Sequence, residues 1–459
     1  MTPRLNIEAL ARLPAAVRRP DYDFLNLGTG IVHLGPGAFH RAHQAVFTED
    51  AIRVGGGDWG ILGVSLRHAA VADALAAQNG LYTVETLGFD ADYRVVAAIR
   101  GSSCAVTDGA RLQAAIAAPR THIVSLTVTE KGYCLGSDGA LDFSHSEIAH
   151  DLLHPEGPHS AIAWLVRGLA MRHQTHGAPI TVISCDNLRG NGAKLCGAVT
   201  AFAQRSRPGM LSWLRDNVTF PDTVVDCIVP AASEASRARV STAIGLQDIA
   251  CVQRETFSQW VIEDRFAGPR PAWDRVGVQI VGDVSCYSEL KLHVLNACHS
   301  ALAYLGLPRG YCFVREAIAD PELARFLENL VSTEIAPALG DIPVLDYWRT
   351  VRPRFLNPRI DHHLSQIAED GSVKLAQRIF PLMIANAGAG LPVRALSRIV
   401  RSWLELAAAG SIKDPCQTLL ATWSRAGADL QSALDDPMLF PPPIRSNALL
   451  RASIVNAVS

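Results

Sequence analysis

Along the first half of the chain, short runs of aliphatic and β-branched residues alternate with Ala- and Leu-rich stretches. The runs are Gly30–Gly35, Trp59–Ser65, Tyr93–Ile99, Thr121–Val128 and Pro179–Ser184. This alternation predicts parallel strands joined by helical crossovers. Between them, Ala69–Gln78 and Ala110–Ala117 have the composition of helices. After about Pro271 strand-like runs become scarce, and helical patterns dominate over Lys291–Tyr304, Asp320–Ile335 and Pro392–Ala409. The pattern predicts an α/β protein: an N-terminal Rossmann-type domain over residues 1–280, followed by a mainly α-helical C-terminal domain over residues 281–459. The junction is expected around Val276 to Cys286, after the Pro- and Gly-containing segment Phe266–Trp273. Near the end, Pro437–Ile444 reads as a rigid, extended connector that closes the compact body.

A length of 459 residues agrees with two cores rather than one. Apolar residues at 49% and charged residues at 19% exclude a disordered chain. A formal charge of -2 gives no net field for nucleic acid or anionic lipid, so neither is an expected partner. No stretch of about 18 uninterrupted apolar residues predicts a membrane span, and the N-terminal segment has no secretory pattern. Ten scattered cysteines without a C-x-x-C pair read as reduced thiols of a cytoplasmic protein.

Ile31-Val-His-Leu-Gly35-Pro-Gly37-Ala38-Phe39-His40-Arg41 places two glycines at a strand end and then opens a helix. Backbone N–H groups and the helix dipole there would face a pyrophosphate. A dinucleotide fingerprint carries a third glycine where His40 stands, and the two glycines alone also fit a tight turn without a ligand. The acidic residue that holds an NAD ribose should follow the second strand, yet Val64–Ala70 contains no carboxylate. Arg67 lies there instead, either meeting the 2′-phosphate of NADP or solvated at the surface.

Lys291, Asn296 and His299 lie on one helical pattern. Eight residues separate Lys291 from His299, about two α-helical turns, and Asn296 stands one turn before His299. Oxidation of an alcohol by hydride transfer needs a base for the hydroxyl proton and donors for the developing alkoxide. An amine, an amide and an imidazole on one face supply both. Taken alone, Lys291 reads more readily as a solvated helix-start lysine and His299 as a packed core histidine.

Several longer motifs in order resemble the mannitol dehydrogenase family of polyol-specific long-chain dehydrogenases. They are Gly35–Gln44, Ser125–Tyr133, Ser184-Cys-Asp186-Asn187, Phe220–Pro230 with Asp226, Gln259–Asp264 and the helix of Lys291, Asn296 and His299. The likeness runs from about residue 28 to about residue 385. It implies a Rossmann-type domain, a helical domain and a metal-independent cleft between them, with NAD as cofactor, NADP remaining possible, and a monomeric chain. Carried over residue by residue, Lys291 becomes the general acid/base, Asn187 and Asn296 the oxyanion donors, and His299 a group that orients substrate. Lys374 of Asp370-Gly-Ser-Val-Lys374 becomes a substrate contact. Gly35, Gly37, Ala38, Phe39, His40, Arg41, Arg67 and Asp226 fall to the cofactor.

Departures from the family pattern guide the choice of substrate. Mannitol-oxidising members carry an arginine eight residues before the DGSxK lysine, where this chain has Gln366. The run Gln366–Arg378 resembles fructuronate reductase, also called mannonate dehydrogenase, instead. A hexonate carries a carboxylate, which Arg378, one turn beyond Lys374, would grip bidentately; the plain reading is an exposed helix charge. Cys227 replaces an arginine of the usual VDRI sequence, and Ser288 stands where mannitol dehydrogenases carry a glutamate that helps pass the proton out. The expected substrate is therefore a small sugar acid or sugar alcohol. D-mannonate/D-fructuronate is favoured, and mannitol or arabitol oxidation is the alternative. A silent dinucleotide-binding protein has no need of the Lys291 set, and a zinc site at His33, His40 and His43 lacks clustered cysteine ligands.

Overall fold

The computed structural model describes residues 2–425 and 430–457. The chain divides into two compact units, Met1–Val284 and Ser285–Ser459.

The strands of the first unit are β1 (Thr29–Leu34), β2 (Gly60–Ser65), β3 (Tyr82–Leu87), β4 (Ala91–Val96), β5 (Ile99–Cys104), β6 (Ile123–Leu126), β7 (Ile180–Ser184), β8 (Val218–Thr219), β9 (Thr223–Asp226), β10 (Val252–Glu255), β11 (Gln259–Glu263) and β12 (Gln279–Val281). Six of them pair in parallel in the order β5-β2-β1-β6-β7-β8. The chain starts inside this sheet, winds outward to one edge, then returns to wind to the other. Its crossing point lies between β1 and β6, where a doubly wound sheet opens a crevice at the strand C-termini.

Side-chain alternation explains why these strands read as unbroken apolar runs. Val32, Leu34, Leu62, Val64, Val124 and Leu126 enter one buried cluster, whereas Ile31, Ile61, Ile123 and Ile183 enter another. Both faces are covered, so neither needs polar residues. The helices that bear on the site are α1 (Ala38–Ala42), α2 (Gln44–Gly55), α3 (Ala70–Ala76), α4 (Ala105–Ala117), α5 (Ser146–Leu153) and α6 (Ala161–Thr175).

Tyr93–Ile99, expected as a single strand, divides instead. Its first part belongs to β4, antiparallel to β3, and its last residue opens β5, parallel to β2. Val95 to Ile99 are all fully buried, so the hydrophobic pattern contains no mark of the break. Two three-stranded sheets, β10-β3-β4 and β12-β11-β9, were not read from the pattern, apart from the part of β4 within Tyr93–Ile99.

The second unit is helical. One long helix runs α-helical over Ser285–Leu290, π-helical over Lys291–Asn296 and α-helical again over Ala297–Gly306. Every residue of its last stretch is buried, as expected of a helix apolar on all sides. Arg394–Ala408 packs against it, and Ser402 Oγ donates to the Tyr304 carbonyl at 2.6 Å. The helix Gly371–Arg378 docks on the π-helical stretch, where His293 Nδ1 donates to the Arg378 carbonyl at 3.0 Å. The expected extended connector is corrected here. Leu439, Phe440 and Ile444 are buried among the helices, the Phe440 ring lies 5.4 Å from that of Phe380, and Pro442–Arg445 is a helical turn. Proline is compatible with the first turn of a helix, and the apolar residues between the prolines supply the burial. Among the described residues no helix is long and apolar enough to cross a membrane.

Candidate active site

At the crossing point of the large sheet the two glycines are required for different reasons. Gly35 has φ +85°, its N–H donates to the Val64 carbonyl at 2.9 Å, and Thr127 Oγ1 donates to its carbonyl at 2.6 Å. A Cβ at this position would press into the Thr127 carbonyl oxygen, so the backbone itself demands glycine. Gly37 has an ordinary φ of -66°, and a Cβ there would meet nothing nearer than the Gly35 carbonyl at 3.8 Å. Packing does not need glycine at 37. Its bareness keeps space open beside the N-terminus of α1, which no side chain caps, and that is the approach a pyrophosphate makes to backbone N–H groups.

The crevice holds about 330 Å³ and is walled by the segments that leave β1, β2 and β6. Leu66, Val71 and Val128 give it apolar walls, and Arg67, Lys131 and Glu147 give it charge. A carboxylate does stand in the crevice, on the first turn of α5. Glu147 Oε1 receives Arg67 Nη2, while Glu147 Oε2 is buried and has no hydrogen-bond partner among the described residues. Arg67 is an exposed side chain paired with this carboxylate. Sequence reading missed Glu147 because 80 residues separate the pair and no motif joins them.

His40 and Arg41, expected at the cofactor, turn their side chains into the protein. The His40 ring stacks on His33 at 3.3 Å, and His33 bonds Ser125 Oγ at 2.8 Å and Thr127 Oγ1 at 2.9 Å. Burial pushes the His33 imidazole down to about 3 and holds that of His40 well below its ordinary value. Arg41 donates to the Pro36 carbonyl at 3.2 Å and to the Ala250 carbonyl. His43 Nε2 donates to the Gln259 carbonyl at 2.9 Å, and the Phe39 ring stacks on His43 at 5.0 Å. The bulk of His40 at the usual third-glycine position is therefore taken up by stacking beneath the turn. Ala38 simply begins α1.

Asn187 is exposed just past the C-terminus of β7. Its neighbour Asp186 is buried and accepts from Val128 N at 3.0 Å, Thr129 N at 2.8 Å and Tyr133 Oη at 2.7 Å. Those bonds hold the turn after β6, where Thr129 has φ +69°, and so fix the base from which Asn187 projects. Asp226 is buried at the end of β9, opposite Gln259 of β11.

In the second unit Lys291 and Asn296 are the first and last residues of the π-helical stretch, both half-buried. The α-helical spacing expected for this trio is corrected accordingly. His299 is buried, with its ring 4.4 Å from Phe355 and 5.0 Å from His362. Its Nε2 has no hydrogen-bond partner among the described residues, and burial holds its imidazole well below the ordinary value. Arg378 is half-buried rather than an exposed charge, donating to the Asn296 carbonyl at 3.3 Å and to Ser300 Oγ at 3.1 Å. Lys374 Nζ donates to the Ile367 carbonyl at 3.1 Å. Gln366 is exposed.

Sequence reading also missed His362, whose Nδ1 is buried without a partner among the described residues. Burial, then the charges of His363 and Lys374, push this imidazole down to about 4. A lone His-His pair in a loop carried no spacing signal.

A doubly wound sheet with a glycine-lined crevice, followed by a helical unit bearing an amine, an amide and an imidazole on one helix, defines a dinucleotide-dependent oxidoreductase. The chain belongs to the mannitol dehydrogenase family. Residues 29–275 match the mannitol dehydrogenase Rossmann domain, and residues 283–459 match the mannitol dehydrogenase C-terminal domain. It is similar to the D-mannonate oxidoreductase of Escherichia coli (strain K12), 38% identical over 436 residues, 92% of this chain and 89% of that one. It is also similar to the mannitol 2-dehydrogenase of Cereibacter sphaeroides, 38% identical over 396 residues, 84% and 83% of the two chains. Among solved structures, the Pseudomonas fluorescens mannitol 2-dehydrogenase in ternary complex with NAD and D-mannitol matches with a TM-score of 0.88 at 33% identity. That match covers 98% of this chain and 95% of the other.

Proposed function

We propose that this enzyme interconverts D-mannonate and D-fructuronate, with NAD as the dinucleotide. NAD, when bound, accepts the hydride from the secondary carbinol carbon. Lys291 in its unprotonated form takes the hydroxyl proton, and the side-chain amides of Asn187 and Asn296 donate to the oxygen as charge develops on it. His299, neutral through burial, offers its unpartnered Nε2 to a substrate hydroxyl without adding charge. Lys374 and Arg378 receive the hexonate carboxylate. Gly35 and Gly37, with the backbone of Ala38 and Phe39, hold the pyrophosphate.

The observation that carries the sugar-acid reading is Arg378, a half-buried guanidinium set against Asn296 and Ser300 of the helix that bears Lys291. The E. coli D-mannonate oxidoreductase supports the same choice. Glu147 favours NAD, because its carboxylate lines the crevice and would repel a 2′-phosphate. Oxidation of mannitol or arabitol is the second reading, favoured by the two mannitol 2-dehydrogenases.

Steady-state kinetics on D-mannonate, D-mannitol and D-arabitol, for the wild type and Arg378→Ala, test the proposal. Losing a hydrogen-bonded ion pair worth about 1.5–3 kcal/mol should reduce kcat/KM for mannonate by roughly 10–150-fold and leave that for mannitol within a few-fold. Preferred turnover of mannitol by the wild type, or equal losses on both substrates, would overturn it.

A further inference from the structure

In the second unit, the His362 imidazole is not used by the chemistry proposed above, yet it sits against a group that is. Its ring lies 5.0 Å from that of His299 with 75° between the planes, so the two meet edge to face. The backbone that carries it is held in place. The Val314 N–H donates to the His362 carbonyl at 3.0 Å, the Leu364 N–H donates to the Cys312 carbonyl at 2.9 Å, and His363 bridges antiparallel to Phe313. The ring is therefore presented from a pinned stretch of chain.

Both imidazoles are short of a partner. His299 Nε2 and His362 Nδ1 are each buried, and neither has a hydrogen-bond partner among the described residues. Buried polar atoms of native proteins are nearly always paired, so two unpaired nitrogens on neighbouring rings mark the place of a group that arrives from outside. The charges that act on the rings indicate its nature. Besides the two rings themselves, they are Arg354 and Arg378 for His299, and His363 and Lys374 for His362; among the described residues no carboxylate acts on either. Burial and these cations keep both rings neutral, and a neutral imidazole still has one N–H to donate. A donor set beside a lysine suits an oxygen that carries negative charge. His362 is only half-buried, which leaves its ring an open side.

We infer that His362 is a specificity-determining residue, whose imidazole donates a hydrogen bond to the carboxylate of the sugar acid beside Lys374 and Arg378. This role rests on the sugar-acid reading above. It adds a contact that a polyol does not match, since mannitol has a hydroxymethyl group where mannonate has its carboxylate. His299, the more deeply buried of the two rings, keeps its place at a substrate hydroxyl.

The test is steady-state kinetics of the full-length enzyme on D-mannonate and D-mannitol, with Tm and NADH affinity measured beside them. His362→Ala should lower kcat/KM for mannonate by at least about tenfold, mostly through a higher KM, and change that for mannitol no more than a few-fold, with Tm and NADH affinity kept. His362→Asn and His362→Gln place an amide N–H where Nδ1 and Nε2 stand, and one of them should recover part of the loss. His363→Ala, at an exposed position, should behave as the wild type does. No loss in His362→Ala, equal losses on both substrates, or no recovery with either amide would overturn the role of His362 while the sugar-acid reading stands. Preference of the wild type for mannitol would remove that reading, and this role with it.

Discussion

Lys291 and Asn296 are the two ends of a single π-helical segment inserted in an otherwise α-helical rod. In an α-helix residues five apart point about 140° away from each other around the axis. The i→i+5 pattern of a π-helix closes much of that angle, which brings the two backbone positions toward one side of the rod. A base that removes a proton and a donor that steadies the remaining oxyanion must address the same oxygen. In the chemistry proposed above, the local widening of the helix is what would let Lys291 and Asn296 do so.

The two glycines of the crevice should separate experimentally. Gly35→Ala forces a side chain to φ +85° and into the Thr127 carbonyl, and should cost at least about 1–2 kcal/mol, visible as a fall in Tm. Gly37→Ala should leave Tm nearly unchanged, since nothing in the protein crowds that position. Its NADH affinity, measured by fluorescence titration, should fall by roughly tenfold, one lost backbone contact of about 1.4 kcal/mol.

Glu147→Gln tests dinucleotide choice. The change removes a negative charge from the crevice and releases Arg67 from its partner. The ratio of kcat/KM with NADP to that with NAD should rise by about fivefold, in keeping with a partly exposed charge interaction of about 1 kcal/mol. An unchanged ratio would separate Glu147 from the ribose.

Much of this architecture was legible from residues alone, and the limits have physical causes. Strands buried on both faces announce themselves as apolar runs, so β1, β2, β6 and β7 were readable, whereas β10, Val252-Gln-Arg-Glu255, is mostly polar and β12 has only three residues. Lys291, Asn296 and His299 were visible as a group, but their helix was read with an α-helical period, because no residue type marks a π-helical stretch. Glu147 and His362 owe their places to tertiary contacts with Arg67 and His299, far away in sequence. Pro437–Ile444 was read by its prolines, and its buried Leu439, Phe440 and Ile444 decide its real state.

Stability should depend on pH through buried neutral histidines. His33, His40 and His299 all have imidazoles held below the ordinary value by burial. In the unfolded chain each titrates near 6.5. Below that pH the unfolded state binds protons that the folded state refuses, so stability is level above about pH 7 and falls as pH drops. By pH 5 each group should cost about 2 kcal/mol. Calorimetry between pH 7.5 and 5 should show a progressive fall in Tm; a flat profile over this interval would contradict the neutral assignment.

Pre-steady-state and steady-state oxidation of the preferred substrate by Lys291→Ala, beside NADH titration of the same variant, bears most directly on the proposed chemistry. Loss of the base should lower kcat by at least about 10²–10⁴-fold at neutral pH, the range typical of general base catalysis, while NADH binds with unchanged affinity. Turnover within a few-fold of the wild type would show that the proton leaves by another route.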